Sequence, residues 1–340
     1  MSPTVSVVFV SYGHGALLGR AIRPLLNART CSVEVVVVNN QPREDIAAAL
    51  ADDVREQVAI VEMGENAGFC AAHNRGIRET AGEFVFLANP DLVVAEDHLD
   101  ALVELFGRRP RAACANGKLI RYDAERGGET NVIDSAGLAI GRNRRTVDRG
   151  EGLVERPGLY DAEEEVFAVS GAAFFARRAA LEEAAADGEV LDESFFMYKE
   201  DVDLSWRLRA FGWECWYVPA ARAHHARSSR GLGAKSYASA IREFHRSQLA
   251  KPAQSRVHSL RNQWLLLVKN EDLSSFARDF LPIVAREAAV VGWTILFSPR
   301  SLVAVGEFAA RLPGALAKRR WIRAHRRVPA ADLRRWFGRR

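Results

Sequence analysis

Four short apolar runs dominate the start of the chain: Val5–Val10, Val33–Val38, Val58–Glu62 and Phe84–Ala88, rich in β-branched and aromatic residues. Runs without polar alternation belong to strands covered on both faces, the environment of a parallel sheet. Between them the period changes. Leu17, Leu18, Ala21, Ile22 and Leu25 recur at helical spacing, Ala72–Glu79 reads as a second helix, and Leu99, Leu102, Val103 and Phe106 mark a third. Strand–helix alternation of this kind predicts a doubly wound, mostly parallel α/β sheet flanked by helices, whose ligands lie beyond the carboxyl ends of the strands. Chemistry is therefore expected near Ser11, Asn39, Asn66 and Asn89.

Past residue 120 the regularity fades. The stretch DSAGLAIGRNRRTVDRGEG (134–152) predicts loops and short strands that wall a pocket. Phe167–Arg177 reads as a strand around a glycine, followed by a helix near 178–186. Residues 201–211 read as an amphipathic helix, and Glu214–Val218 as a short strand ending at Pro219. Residues 257–337 are rich in Leu, Arg and Trp at helical spacing and are interrupted by Pro282, Pro299, Pro313 and Pro329. The expected division is a domain over 1–235, with a nucleotide-binding half (1–120) and an acceptor half (121–235), and a helical C-terminal appendage over 236–340.

Charge divides along the same line. Residues 299–340 hold 12 Lys and Arg against 2 Asp and Glu, so the chain's net +4 leaves −6 to residues 1–298. An acidic body argues against nucleic acid as a partner. For the basic end, with Trp264, Trp293, Trp321 and Trp336 beside Arg-rich faces, two readings stand: helices lying on an anionic membrane surface, or a cap packed on the body with a solvated basic face. Cys31, Cys70, Cys114 and Cys215 have neither zinc-site spacing nor disulfide density and read as buried free thiols. The N-terminal MSPTVSVVFVSY lacks the pattern of a secretory signal. Ala288–Phe297 is roughly half the ~20 residues that span a bilayer. A cytoplasmic protein, peripheral at the inner face of the cell membrane and without a transmembrane helix, is expected.

The candidate chemistry is carried by three segments. Phe84–Ala88 runs into Asn89-Pro90-Asp91, where a rigid Pro can aim an Asp oxygen at a divalent cation bridging phosphates. The same tripeptide also suits an ordinary turn. In LDESFFMYKEDVDLSWRLR (191–209), the carboxylates Asp192, Glu193, Glu200, Asp201 and Asp203 crowd around Phe195, Phe196 and Tyr198. Glu200 and Asp201 fall where loop becomes helix, and a helix N-terminus favours the ionised carboxylate that a general base needs. His224 and His225 follow Pro219, and a neutral imidazole is a good ligand for Mn²⁺. The chain shows no G-x-S-x-G, no P-loop and no G-x-G-x-x-G after its first strand, which argues against a serine hydrolase, an ordinary NTPase and a dehydrogenase.

Taken in order, VSVVFVSY, VEVVVVNN, ENAGFCAAHNRGI, GEFVFLANPDLVV, DSAGLAIGRNRRTVDRGEG, VSGAAFFARR, LDESFFMYKEDVDLSWRLRAFGW and VPAARAHHARSS resemble the glycosyltransferase family 2 enzymes of GT-A fold, in particular their rhamnosyltransferase-like branch. The resemblance implies that Asp91 holds Mg²⁺ or Mn²⁺ against the donor diphosphate, that Asp201 is the catalytic base, and that His225, better placed than His224, is a later metal ligand. It implies further that Ser11, Tyr12, Asn39 and Asn40 cradle the nucleotide, with Asn66, Gly68, Asn74 and Asn89 also on the donor side. Asn39 and Asn89 stand where the family commonly has Asp, and Gly13 where it commonly has Asn.

The function this implies is inverting transfer of a sugar, rhamnose from dTDP-rhamnose, to a lipid-linked or polysaccharide acceptor in cell-surface glycan synthesis. Acceptor choice is expected in residues 120–170 and in the segment after His225. One base with a Lewis acid favours transfer over hydrolysis, which uses two flanking carboxylates. The alternative is a non-catalytic nucleotide-sugar-binding or scaffold subunit, against which the retention of Asp91, Asp201 and a candidate His argues. A nucleotidyltransferase would need a pyrophosphate-binding loop near the N-terminus that this chain does not have.

Overall fold

The structure is a computed structural model that describes residues 2–123, 128–226 and 237–339, with 237–243 described by backbone alone. The apolar runs form four parallel strands, β1 (Thr4–Ser11), β2 (Ser32–Asn39), β3 (Val58–Glu62) and β4 (Phe84–Ala88), in spatial order β3-β2-β1-β4. Val8, Val36, Val38, Val85 and Leu87 enter one core, beneath helix Gly68–Arg78; Val7, Val35, Val37 and Phe86 enter a second, beneath helices Gly15–Ile22 and His98–Arg108. Burial on both faces is why β1, β2 and β4 carry no polar alternation, whereas β3, at the sheet edge, is only partly buried.

The remaining strands are β5 (Leu92–Val94), β6 (Ala112–Asp123), β7 (Gly128–Ser135), β8 (Leu138–Ile140), β9 (Thr146–Asp148), β10 (Glu164–Glu165), β11 (Ala173–Arg177) and β12 (Glu214–His225). Beyond β4 the order is β11-β6-β12-β10; β11 runs antiparallel to its neighbours, β5 pairs with β12 and β7 with β6, while β8 and β9 form a separate ribbon. The doubly wound α/β expectation is thus met, with two local differences. The strand expected over Phe167–Arg177 is confined to Ala173–Arg177. The strand expected to stop at Pro219 instead runs to His225, because Pro219 lies in a register shift between Val218 and Arg222, where a missing N–H breaks no ladder. Opposite this bulge stands Gly117, where a Cβ would lie 1.6 Å from the Ala221 carbonyl oxygen. The extension carries His225 to the sheet edge beside β5.

Helix Glu200–Ala210 was expected to be amphipathic, yet it is buried on every side from Val202 to Ala210. Its charges are neutralised internally: Arg207 Nε lies 3.0 Å from Asp203 Oδ2, Arg209 Nη1 2.7 Å from Glu165 Oε1, and Lys269 Nζ 2.9 Å from Asp203 Oδ2. Lys269 belongs to helix Ala253–Asn270, which packs between Glu200–Ala210 and Val303–His325. The chain end folds back, so that Trp336 and Phe337 join Trp206 and Phe167 in one core. All four cysteines are buried and free.

Helix Phe280–Phe297 is longer than the apolar stretch read from sequence: by length and composition its 18 residues suffice to cross a membrane, and 11% of them are buried within the protein. The four C-terminal tryptophans turn inward. Trp264 donates to Glu287, Trp293 to His245, Trp321 packs on Phe211, and Trp336 lies under Arg209.

Arg144 joins the loop after β8 to the C-terminal helices, with Nε 2.5 Å from Glu271 and Nη1 2.9 Å from Asp279, all three groups buried. Removing one partner strands the others without water. Arg144→Met is expected to cost about 3–5 kcal/mol in urea unfolding.

Candidate active site

The carboxyl ends of the parallel strands gather the donor-side residues. Ser11, Asn39 and Glu62 lie in register at the ends of β1, β2 and β3. Ser11 Oγ donates to Glu44 Oε2 at 2.9 Å, and the same carboxylate accepts from the backbone N–H groups of Gly13 and Gly15. Asn39 Nδ2 donates to Glu62 Oε2 at 2.9 Å, so a carboxylate stands beside the position where the family's Asp is missing. Asn40 and Asn66 bond to each other and to the backbone of Ala67 and Gly68. Tyr12 is half exposed at the rim.

Gly68 has φ +87°, and a Cβ there would meet the Phe196 ring at 2.5 Å. Both features require glycine at the start of this helix. Asn74 is turned away from the strand ends. Its amide is buried, donates to the Leu191 carbonyl at 2.8 Å and accepts from the Leu191 N–H at 2.9 Å, tying the donor-side helix to the segment that precedes Glu200.

A second cluster forms where β4, β5, β7 and β12 meet. Leu92 of β5 pairs with His225, and the Ala226 N–H donates to the Asp91 carbonyl, which places His225 Nε2 3.4 Å from Asp91 Oδ1 and 3.5 Å from Asn89 Nδ2. His225 Nδ1 lies 2.9 Å from Asp134 Oδ2. His224 points to the other face of the strand, 3.5 Å from Glu129. Burial works against a charged His225, but hydrogen bonds to Asp134 and Asp91, and their charges, override it and raise the imidazole to about 9.

Whether these residues fit a divalent cation can be judged from that donor set. Among the described residues no three His, Cys, Asp or Glu side chains form a complete metal cluster. Two ligand atoms of suitable chemistry converge, one carboxylate oxygen and one imidazole nitrogen, and a carboxylate holds the far ring nitrogen, the arrangement that orients metal-binding histidines. The site fits a cation that brings further oxygen ligands with it.

Asp201 is reached from this cluster in a few steps. The Asn89 N–H donates to the Ala172 carbonyl at 3.1 Å, and the adjacent Gly171 N–H donates to Asp201 Oδ2 at 3.0 Å. Asp201 Oδ1 accepts from Val202 N at 2.7 Å, in the first turn of helix Glu200–Ala210. Burial raises the Asp201 pKa above the ordinary aspartate value, opposed in part by these N–H donors and by Lys199. Glu200 is pushed up to about 8, by burial first and then by the charge of Asp201.

Two contributors here were not singled out in the sequence. Asp134 was legible only as part of the DSAG stretch, and Glu44 sits in a turn-like segment. Residues 227–236, part of the segment expected to help choose an acceptor, lie outside the described residues.

Comparison with known proteins identifies the family and the fold. Residues 3–257 match the family described as glycosyltransferase like family 2. The N-acetylglucosaminyl-diphospho-decaprenol L-rhamnosyltransferase of Mycobacterium tuberculosis is 31% identical over 264 residues, 71% of this chain and 82% of the relative. Two solved structures share the fold. GalNAc-T7 with UDP, GalNAc and Mn²⁺ has a TM-score of 0.56 at 15% identity, over 78% of this chain and 48% of its own. The mannosyltransferase PcManGT from Pyrobaculum calidifontis, in complex with GDP-Man and Mn²⁺, has a TM-score of 0.51 at 14% identity, over 96% and 86%. The chain belongs to the family 2-like glycosyltransferases, and it is a GT-A-type glycosyltransferase.

Proposed function

We propose that this enzyme transfers rhamnose from dTDP-rhamnose, with inversion, to a lipid-linked saccharide in cell-surface glycan synthesis. The M. tuberculosis relative, named for an L-rhamnosyl transfer to a diphospho-decaprenol-linked sugar, supports the donor and acceptor classes. The reading rests above all on the backbone link from Asn89 through Ala172 and Gly171 to Asp201, which ties one carboxylate to the turn that carries Asp91.

In this reading Ser11, Tyr12, Asn39, Asn40, Asn66 and Gly68 border the nucleotide, and Asn74 braces that border from behind. Asp91 and His225 would hold Mg²⁺ or Mn²⁺, with Asn89 beside them and Asp134 fixing the imidazole. When bound, the cation supplies Lewis-acid stabilisation of the charge that develops on the departing nucleoside diphosphate. Asp201 takes the proton from the acceptor hydroxyl as its oxygen attacks the anomeric carbon opposite the leaving group. Residues 1–235 form the transferase domain in this reading, while 236–340 support it and contact the membrane.

The membrane contact is proposed for the helix Phe280–Phe297. Leu281 (78% exposed), Val284, Ile295 and Leu296 (75%) recur at helical spacing on its outer side, and no charged residue shares that stripe. The helix is fastened along its length: Asp279 at its start to Arg142 and Arg144, Glu287 to Trp264, Trp293 to His245, and Ser298 at its end to Arg256. Crossing a bilayer would break these bonds, so an in-plane contact at the inner face of the cell membrane is the reading they favour.

Five outcomes are expected. Purified enzyme with Mn²⁺ should transfer label from dTDP-rhamnose to a polyprenyl-diphosphate-linked N-acetylglucosamine. Asp201→Asn should lower kcat at least about 100-fold, with donor binding retained. The wild-type rate should decline on acidification through a pKa above that of an ordinary aspartate, because a raised pKa protonates the base at higher pH. Transfer from GDP- or UDP-sugars alone would overturn the donor, and a mutant with most of its turnover would overturn the base. Asp91→Ala should remove the Mn²⁺-dependent gain in donor affinity seen by calorimetry; titrations identical with and without Mn²⁺ in wild type would dismiss the metal role. Leu281→Asp with Leu296→Asp should weaken co-sedimentation with anionic vesicles at least about tenfold while leaving donor binding intact, and unchanged sedimentation would refute the in-plane contact.

A further inference from the structure

The segment before the candidate base is held in an unusual backbone. Phe196, Tyr198 and Lys199 have φ of +65°, +73° and +74°, a region that L side chains seldom occupy. Three such residues in four positions persist only where the surroundings over-determine them. Lys199 is also the residue from which helix Glu200–Ala210 starts, and its carbonyl accepts from the Asp203 N–H at 2.9 Å. The loop therefore aims the first turn of that helix, and Asp201 with it.

One buried side chain meets the loop's inward carbonyls. Asn262 Nδ2, on helix Ala253–Asn270, lies 2.9 Å from the Phe195 carbonyl oxygen, 2.8 Å from that of Met197 and 2.8 Å from that of Tyr198. The amide cannot turn over, since its Oδ1 accepts from Arg261 Nε at 2.9 Å. Arg261 Nη2 donates to the Phe195 carbonyl at 2.7 Å, and its Nη1 is ion-paired to Glu307 of helix Val303–His325. From the opposite side the Cys70 N–H donates to the Phe196 carbonyl at 3.1 Å. A primary amide has two N–H groups and serves three carbonyls here, which no apolar or acidic side chain of similar size can do.

We propose that Asn262, oriented by Arg261, is a positioning residue for glycosyl transfer: it holds loop 195–199 in the conformation that presents Asp201 to the acceptor. Both residues lie beyond the stretch 3–257 that matches the family, so the C-terminal helices complete the catalytic half in addition to any contact with lipid. Without Asn262 the three buried carbonyls lose a donor, the loop relaxes toward negative φ, and the helix start turns away from Gly171. The inference rests on the assignment of Asp201 as base.

The test compares Asn262→Ala and Asn262→Asp with a core control on the same helix, Leu266→Ala, at a temperature where circular dichroism shows all of them folded. Leu266 is fully buried and has no bond to the loop. Both Asn262 variants should lose about 100-fold in kcat, the scale of an ångström's misplacement, with KM and Kd for the nucleotide sugar unchanged. Asn262→Asp keeps the volume but not the donors and should fail as Ala does. Leu266→Ala should lower Tm while its kcat stays within about threefold of wild type. If Asn262→Ala does not fold, Arg261→Lys, which keeps the charge near Glu307 but not the fork to Asn262 and Phe195, should show the same split at about tenfold. Wild-type kcat in a folded Asn262 variant, or a loss matched by Leu266→Ala, overturns the proposal. Asp201→Asn run alongside separates the failures: if it keeps its turnover the base assignment falls, and if it alone is dead only the positioning role falls.

Discussion

Asp203 and Asp192 are buried carboxylates that share Lys269. Lys269 Nζ lies 2.9 Å from Asp203 and is also ion-paired to Asp192, while Arg207 meets Asp203 at 3.0 Å and Lys318 meets Asp192 at 2.8 Å. Burial alone would push Asp192 toward its neutral form; the charges of Lys269 and Lys318 outweigh it and hold its pKa well below the ordinary range. A buried charge that loses its partner costs several kcal/mol, so none of these groups is tolerable unless the others arrive with it. The constraint joins three parts of the chain: the loop and helix that carry Asp201, helix Ala253–Asn270, and helix Val303–His325.

The uneven charge of the sequence is met in part by contacts of the same kind. Lys318 lies largely covered on Glu189 and Asp192 and Arg326 on Asp272, while Arg327 and Arg335 pair with Glu183 and Glu165 at the exposed surface. What faces outward along helix Phe280–Phe297 is aliphatic, and the tryptophans that seemed fitted to a headgroup boundary serve as internal packing and hydrogen-bond anchors. Sequence arithmetic finds an excess of charge but not its partners, because most of those partners lie more than a hundred residues away.

The parallel half of the sheet was legible almost residue by residue. β1, β2 and β4 are buried on both faces and their continuous apolar runs record that environment, while β3 carries a similar run at the partly exposed sheet edge. The misreadings came where local rules compete with tertiary context. Pro219 normally ends a strand, but the space left by Gly117 turns it into a bulge. Charged residues from Asp203 to Arg209 normally mark a solvated face, but here each finds a buried partner. Asp134, Glu44 and Asn262 were invisible as functional candidates because their importance lies in what they touch across the fold.

The sequence by itself determined the strand ends at which the candidate residues gather, marked Asp91, Asp201 and His225 as candidates, and carried a family resemblance specific enough to imply transfer. Those properties reside in residue type and local spacing. Only the tertiary structure decided that His225, not His224, meets Asp91, and that Asn89 is linked through Ala172 and Gly171 to Asp201. It also decided that a helix past residue 250 clamps the loop before Asp201. Strand register, the bulge at Pro219 and the pairing of buried charges set those contacts, and each depends on atoms that are distant in sequence and close only once the chain has folded.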